Sequence, residues 1–247
     1  DVSELNKFAF DGMSYALIEK VNDNTLKHVF KQPGNGVNKL THDGRTYMFW
    51  AAYKGNLEMM KYLVSHGAKT DVIDSHGYTI ANFAARSGIQ DVNLYAFLAN
   101  YGANFIEDKN HDGANALLLV SPSVNDFKII EYFVSQGVFI GSVDNNGSGI
   151  FSYAAKGGNV NILQRLIDKG LPYNLEDKNG DNAILFASKG NRGRNTIATY
   201  KYLKDKGILN FSSILLMTNI GPVGGWLLRN GILLLGNRCL LRACHYQ

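Results

Sequence analysis

The stretch Ala51-Ala52-Tyr53-Lys54-Gly55-Asn56-Leu57-Glu58-Met59-Met60-Lys61-Tyr62-Leu63-Val64-Ser65-His66-Gly67-Ala68-Lys69-Thr70-Asp71-Val72-Ile73-Asp74 decides the fold. It opens on two alanines, small enough for one helix to approach another closely. Gly55-Asn56 then breaks the chain, because Gly tolerates backbone angles other residues avoid and Asn favours helix N-caps. From Leu57 to Val64 apolar side chains return at three- and four-residue steps, which gives a helix one buried face. Gly67 ends that helix as a left-handed C-cap. An extended run, 69–74, follows and leads into a turn.

The same pattern recurs on both sides. Turn glycines stand at Gly44, Gly77, Gly113, Gly147 and Gly180, spaced 33, 36, 34 and 33 residues apart. Seven residues after each comes a short-side-chain pair: Ala51-Ala52, Ala84-Ala85, Val120-Ser121, Ala154-Ala155 and Ala187-Ser188. A second apolar helix is predicted at 57–64, 92–98, 127–134, 160–167 and 197–203. These end at Gly67, Gly102, Gly137, Gly170 and Gly207. A constant period near 33 residues means one supersecondary unit repeated in tandem.

Each unit therefore reads helix, turn, helix, β-like loop, and this resembles the ankyrin repeat over about 11–207, some four-fifths of the chain. The resemblance implies an all-α fold, an ankyrin-repeat solenoid, with five repeats in 43–207 starting near 43, 74, 110, 144 and 177. The family's Thr-Pro-Leu-His opening of the first helix is eroded to Thr46-Tyr47-Met48-Phe49, Thr79-Ile80-Ala81-Asn82, Asn115-Ala116-Leu117-Leu118, Gly149-Ile150-Phe151-Ser152 and Asn182-Ala183-Ile184-Leu185. Thr or Asn in the leading position can still cap a helix. The histidine that links neighbouring repeats is gone throughout. The helix–helix turns carry insertions at 89–91, 122–124 and 191–195.

The resemblance also implies a function, a protein-binding scaffold and not an enzyme. In the family the binding surface combines loop tips with exposed positions of the first helices. Carried over by register, it comprises Arg45, Tyr53 and Lys54; Ser75, His76, Tyr78, Arg86 and Ser87; His111 and Asp112; Asn145, Asn146, Ser148 and Lys156; and Lys178, Asn179, Asp181 and Lys189. The expected partner is another protein, engaged by a monomer. The alternative is a regulatory or effector subunit whose tail docks on a membrane or on a partner helix.

Both ends depart from the template. Asp11-Gly12 lies 32 residues before Gly44, and helices are predicted at 15–18 and 26–30, so 1–42 reads as a degenerate N-terminal capping repeat. Residues 208–247 are about a quarter leucine and contain Arg229, Arg238 and Arg242 but no Lys, Asp or Glu. They read as a compressed C-terminal cap, as a membrane- or partner-binding segment, or as a non-native tail. Pro222, Arg229 and several glycines interrupt the apolar run, which argues against a membrane span. The first residue is Asp1 and not Met, so the chain reads as processed or recombinant, with no signal peptide to interpret. The absence of cysteine from the body is compatible with export but does not imply it.

Composition bounds the rest. At 45% apolar and 19% charged the 247 residues are ordinary for a folded, soluble chain. A net charge of +4, three of it in the tail arginines, leaves the body nearly neutral and argues against a nucleic-acid binder, which would show a basic stripe. The cysteines, Cys239 and Cys244, both lie in the tail, so the repeats hold no disulfide and no zinc set. Asp108-Lys109-Asn110-His111-Asp112-Gly113 matches the start of a calcium loop. Its twelfth position is Leu119 where a bidentate Glu is needed, and turn geometry accounts for the Asp, Asn and Gly. Phosphate-loop, dinucleotide and HExxH motifs are missing. Cys244 and His245 are adjacent and point apart. His28, His42, His66, His76 and His111 show no ligand spacing, and Glu176-Asp177 is a solvated loop pair. No catalytic residue, metal or cofactor is called for. Asn146-Gly147-Ser148 and Asn210-Phe211-Ser212 are glycosylation sequons, meaningful only in an exported chain.

Overall fold

The structure, a computed structural model, describes residues 1–190 and 195–208. Among them are α1 (Gly12–Ile18), α2 (Asp23–Phe30), α3 (Tyr47–Tyr53), α4 (Leu57–Ser65), α5 (Ile80–Arg86), α6 (Val92–Asn100), α7 (Ala116–Val120), α8 (Lys128–Ser135), α9 (Ile150–Gly157), α10 (Val160–Asp168), α11 (Ala183–Ser188) and α12 (Ile197–Asp205). The described fold is all-α, as expected; its only extended pairing is a single antiparallel bridge between Ile73 and Thr79.

The chain divides into two compact units, Asp1–Asn145 and the part from Asn146 onward. In the first, the inner helices α1, α3, α5 and α7 stack in order, and α2, α4, α6 and α8 each pack against the inner helix that precedes them. In the second, α9 lies against α11, with α10 and α12 behind them. The short-side-chain pairs explain the close stacking: Ala51, Ala52, Ala84, Ala85 and Ala155 have no accessible surface. Around them Met48, Phe49, Met59, Met60, Leu63, Leu94, Leu98, Leu117, Ile129 and Phe133 fill the first core, and Ile162, Leu163, Leu166, Ile184 and Leu203 the second.

Local signals act at the ends predicted for them. Gly67, Gly102, Gly137, Gly170 and Gly207 all have φ between +72° and +97°. Asn56, Asp91 and Asn159 cap the second helices through their side-chain oxygens. Thr79, Asn115 and Asn182 cap first helices, but Thr46 does not: its hydroxyl is buried without a partner. Tyr47, standing where the family has proline, reaches back to the first helix pair instead. Its hydroxyl donates to Asp11 Oδ2 at 2.6 Å and to Asn35 Oδ1 at 3.1 Å.

The insertions at 89–91 and 122–124 engage each other. Gln90 donates through Nε2 to the Ser123 carbonyl at 2.7 Å and accepts from the Asn125 backbone at 3.1 Å. That amide clamp satisfies backbone groups which the longer turns would otherwise expose. The third insertion, except for Asn195, lies outside the described residues. So do the tail readings, Cys239, Cys244, His245 and the second sequon.

Candidate interaction surface

The loop tips form a ladder. Each tip starts with a polar residue whose side chain folds the turn: Asp74 Oδ1 accepts from the backbone of His76 and Tyr78, both at 2.9 Å, and Asn110 Oδ1 from Ala114 at 2.8 Å. Asp177 Oδ1 does the same for Asn179 and Asp181 at 2.8 and 3.0 Å. Successive tips are then joined by their main chains. In the first unit Ser75 N donates to Asp43 O at 2.9 Å, His111 N to His76 O at 3.1 Å, and Asn145 N to Asp112 O at 2.9 Å. In the second, Lys178 N donates to Asn146 O at 2.8 Å. Close approach is part of this design. At Gly77, with φ +78°, a Cβ would fall 2.8 Å from the His111 backbone nitrogen.

Two side chains add to the joining, Asn145 Nδ2 donating to the His111 carbonyl at 3.0 Å and His76 Nε2 lying 3.2 Å from Asp43 Oδ2, yet the tips stay open to solvent. Ser75, His76, His111, Asp112, Asn145, Asn146, Lys178 and Asn179 are exposed. On the inner helices Arg86 and Lys189 are exposed, and Tyr53, Lys54, Ser87, Lys156 and Asp181 half-buried. The Ser87 hydroxyl turns back onto the Phe83 carbonyl at 2.8 Å, and Asp181 pairs with Lys189.

Three residues assigned to this surface by register are buried. Arg45 is 7% exposed because it serves the interior. Its Nε and Nη2 both donate to Asp74 Oδ2 at 2.7 Å, Nη1 reaches Asp43 Oδ2 at 3.1 Å, and the guanidinium lies 4.2 Å from the Phe83 ring centroid. Ser148 does a smaller version of the same, donating to Asp177 Oδ2 at 2.9 Å. Tyr78, at 9% exposure, leans on Phe83. All three immediately follow a turn glycine, where a long or polar side chain can turn toward the next repeat as readily as toward solvent.

Sequence reasoning also missed an aromatic shelf. The sixth residue after a tip glycine is Trp50, Phe83, Tyr153 or Phe186 in four of the five repeats. Around Phe83 the ring of Tyr53 stacks at 5.5 Å, Trp50 meets it edge-on at 5.8 Å, and Tyr78 lies at 6.2 Å. Phe10 continues the run, 5.2 Å from Trp50 and stacked on His42 at 4.7 Å. The recurring aromatic after each tip glycine was the available signal.

Titratable groups elsewhere serve structure. Burial would raise the Asp11 pKa, but hydrogen bonds from Lys39, Tyr47 and Ser14 outweigh it and hold the carboxyl below its ordinary value. Burial and the Asp91 charge push the Tyr95 phenol up. Asp108 and Asn110, from the calcium-like motif, fold their own loop: Asp108 accepts from the Asn104 backbone, and burial raises its pKa. Among the described residues no three His, Cys, Asp or Glu gather as metal ligands, and no helix is long and apolar enough to cross a membrane. A shallow groove of about 480 Å³ lies where 20–23 meets 54–58. It is lined by Lys20, Lys54, Asp23 and Glu58 over Leu17 and Leu57, so its charges balance.

Comparison with known proteins agrees with this architecture. A family model described as ankyrin repeats (3 copies) matches residues 13–110 and 117–211. The human Notch-regulated ankyrin repeat-containing protein is 31% identical over 91 residues, 35% of this chain and 80% of its own length. The potassium channel AKT2/3 of Arabidopsis thaliana is 28% identical over 134 residues, 54% of this chain but 16% of the channel. An ankyrin repeat protein of Acanthamoeba polyphaga mimivirus is 32% identical over 85 residues, 34% of this chain and 12% of the viral protein. The chain thus spans less than a fifth of these last two relatives.

Proposed function

Since the chain belongs to the ankyrin-repeat family, whose members are generally protein–protein interaction modules and typically not enzymes, we propose that it is a non-catalytic scaffold that binds a partner protein through its loop tips and inner helices. The tip ladder carries this reading. Main-chain hydrogen bonds hold successive tips in fixed register, so Ser75, His76, His111, Asp112 and Asn145 in the first unit, and Asn146, Lys178 and Asn179 in the second, are exposed on a stiff support. Preorganised polar and aromatic side chains lose little entropy on binding. In this reading Tyr53, Lys54, Arg86 and Ser87 extend the first unit's surface, Lys156, Asp181 and Lys189 the second's, and Arg45, Tyr78 and Ser148 support it from beneath. Residues 1–42 act as the N-terminal cap of five repeats in 43–207, and the protein works as a monomer.

The test is affinity capture of partners from native extract, identified by mass spectrometry, with wild type and with a His76→Ala, Arg86→Ala, His111→Ala variant. A partner held by wild type and released by the variant, at unchanged circular dichroism, supports the surface. Equal capture by both would place binding elsewhere on the molecule.

A further inference from the structure

On that reading of the surface, we propose that the patch built by α3 and α5 takes an acidic, extended peptide segment of the partner. The patch has an aromatic floor and a cationic rim. Half-buried Tyr53 and the accessible edge of Tyr78 form the floor, their centroids 5.5 and 6.2 Å from that of Phe83, which is buried beneath them. Arg86 lies over the Tyr78 ring at 5.6 Å and Lys54 over the Tyr53 ring at 5.2 Å. A ring beneath a cation orients its charged head without neutralising it. Neither Lys54 nor Arg86 meets a carboxylate among the described residues, and the Tyr53 and Tyr78 hydroxyls make no hydrogen bond there.

The acidic groups of the two tips nearest the patch, Asp43 and Asp74, are already paired, while Asp112 on the next tip stays exposed. Asp74 is saturated by Arg45 and by its own turn, and Asp43 is shared between Arg45 and His76. The face therefore presents unspent positive charge on a body that is nearly neutral, with 22 Lys and Arg against 21 Asp and Glu in residues 1–207. Charge complementarity then selects a carboxylate-bearing ligand. A nucleic acid is the other polyanion, but its binders draw on a broad basic stripe, and here the cations are few and individually backed by rings. Cation–ring contacts recur within the second unit, where Lys189 also pairs with Asp181. Lys156 lies 5.7 Å from both the Tyr153 and Phe186 centroids, and Lys189 lies 5.6 Å from Phe186.

Selection from a displayed random-peptide library on the immobilised full chain tests this. Selected peptides should be enriched in Asp and Glu at least two-fold over the library. Lys54→Glu with Arg86→Glu should weaken the best of them about ten-fold, the loss expected for two exposed ion pairs. Lys61→Glu, on the exposed face of α4, should not. Raising salt from about 0.1 to about 1 M, which shortens the screening length from about 10 to about 3 Å, should weaken binding several-fold. Circular dichroism would confirm that each variant is folded. Peptides without acidic enrichment, or undiminished binding to the charge-reversed variant, would overturn the acidic-peptide inference and leave the interaction surface standing. Oligothymidine binding more tightly than any selected peptide would overturn it in favour of nucleic acid. Failure to select any peptide above an unrelated folded control would overturn both readings.

Discussion

Replacing Arg45 separates support from recognition most sharply. The Asp74 side chain has no accessible surface and Arg45's has 8%, so this ion pair sits in the interior. Asp74 Oδ1 is occupied by two backbone N–H groups, whereas Oδ2 depends on Arg45 Nε and Nη2, both at 2.7 Å. Arg45→Met keeps a stem to pack on Phe83 and Trp50 and removes the charge together with the guanidinium donors. It leaves one oxygen of a buried carboxylate without its partner, and such single-sided breaks cost about 3–5 kcal/mol. Asp43, which is 27% exposed, can be rehydrated, so the lower end, about 3 kcal/mol, is expected. Urea unfolding followed by far-ultraviolet circular dichroism measures it. Asp74→Ala alone should also destabilise, and the double variant should recover at least about 1.5 kcal/mol of the summed loss, as contacting residues do in a mutant cycle. A cost below about 1 kcal/mol for Arg45→Met, or strict additivity, would refute the pairing.

Two further outcomes test the structure. Asp11→Asn should destabilise the protein by about 2 kcal/mol at neutral pH, since it weakens the contacts with Lys39 and Tyr47. The depressed folded-state pKa of Asp11 makes its stabilisation complete above the unfolded value of 3.8 and lost as pH falls through the folded one, so the gap between variant and wild type should close below pH 3.8 in urea titrations. Asn82→Leu should stabilise by about 1 kcal/mol, because the Asn82 amide is fully buried with neither of its polar atoms bonded; a loss of stability on urea unfolding would show that the site needs the amide.

The repeat architecture was legible because it rests on periodic features. Glycines at a near-constant spacing, a short-side-chain pair seven residues on and an apolar second helix each report a backbone or packing requirement that one residue type satisfies. The second helices at 57–64, 92–98, 127–134, 160–167 and 197–203 lie within a residue or two of α4, α6, α8, α10 and α12. The site was legible only as a register. Ser75 and His76 are exposed because the tip backbone holds them so, and Arg86 because it ends the inner helix α5. Arg45 and Ser148 point inward because acceptors stand 29 residues further on, Asp74 and Asp177 respectively. A repeat pattern describes one unit at a time, and these choices are made between units. The Tyr47–Asp11 bond, across 36 residues, and the Gln90 clamp onto Ser123, across 33, escaped notice for the same reason.

The position after each tip glycine shows how one register divides its labour. It holds Arg45, Tyr78, Ala114, Ser148 and Asp181. The backbone there is equivalent from tip to tip, so the side chain and the residues it can reach decide the outcome. Arg45 finds Asp74 and is drawn inside; Ser148 finds Asp177 and follows. Ala114 has nothing to donate and is simply covered. Asp181 finds a cation on its own inner helix, Lys189, and remains half-exposed. Tyr78 meets Phe83 and carries Arg86 above it, so the charge that Arg45 withdraws from the face is replaced by one that stays outward. One register position thus serves different ends, and at Arg45 the carboxylate of Asp74 in the following repeat is what draws the cation inside.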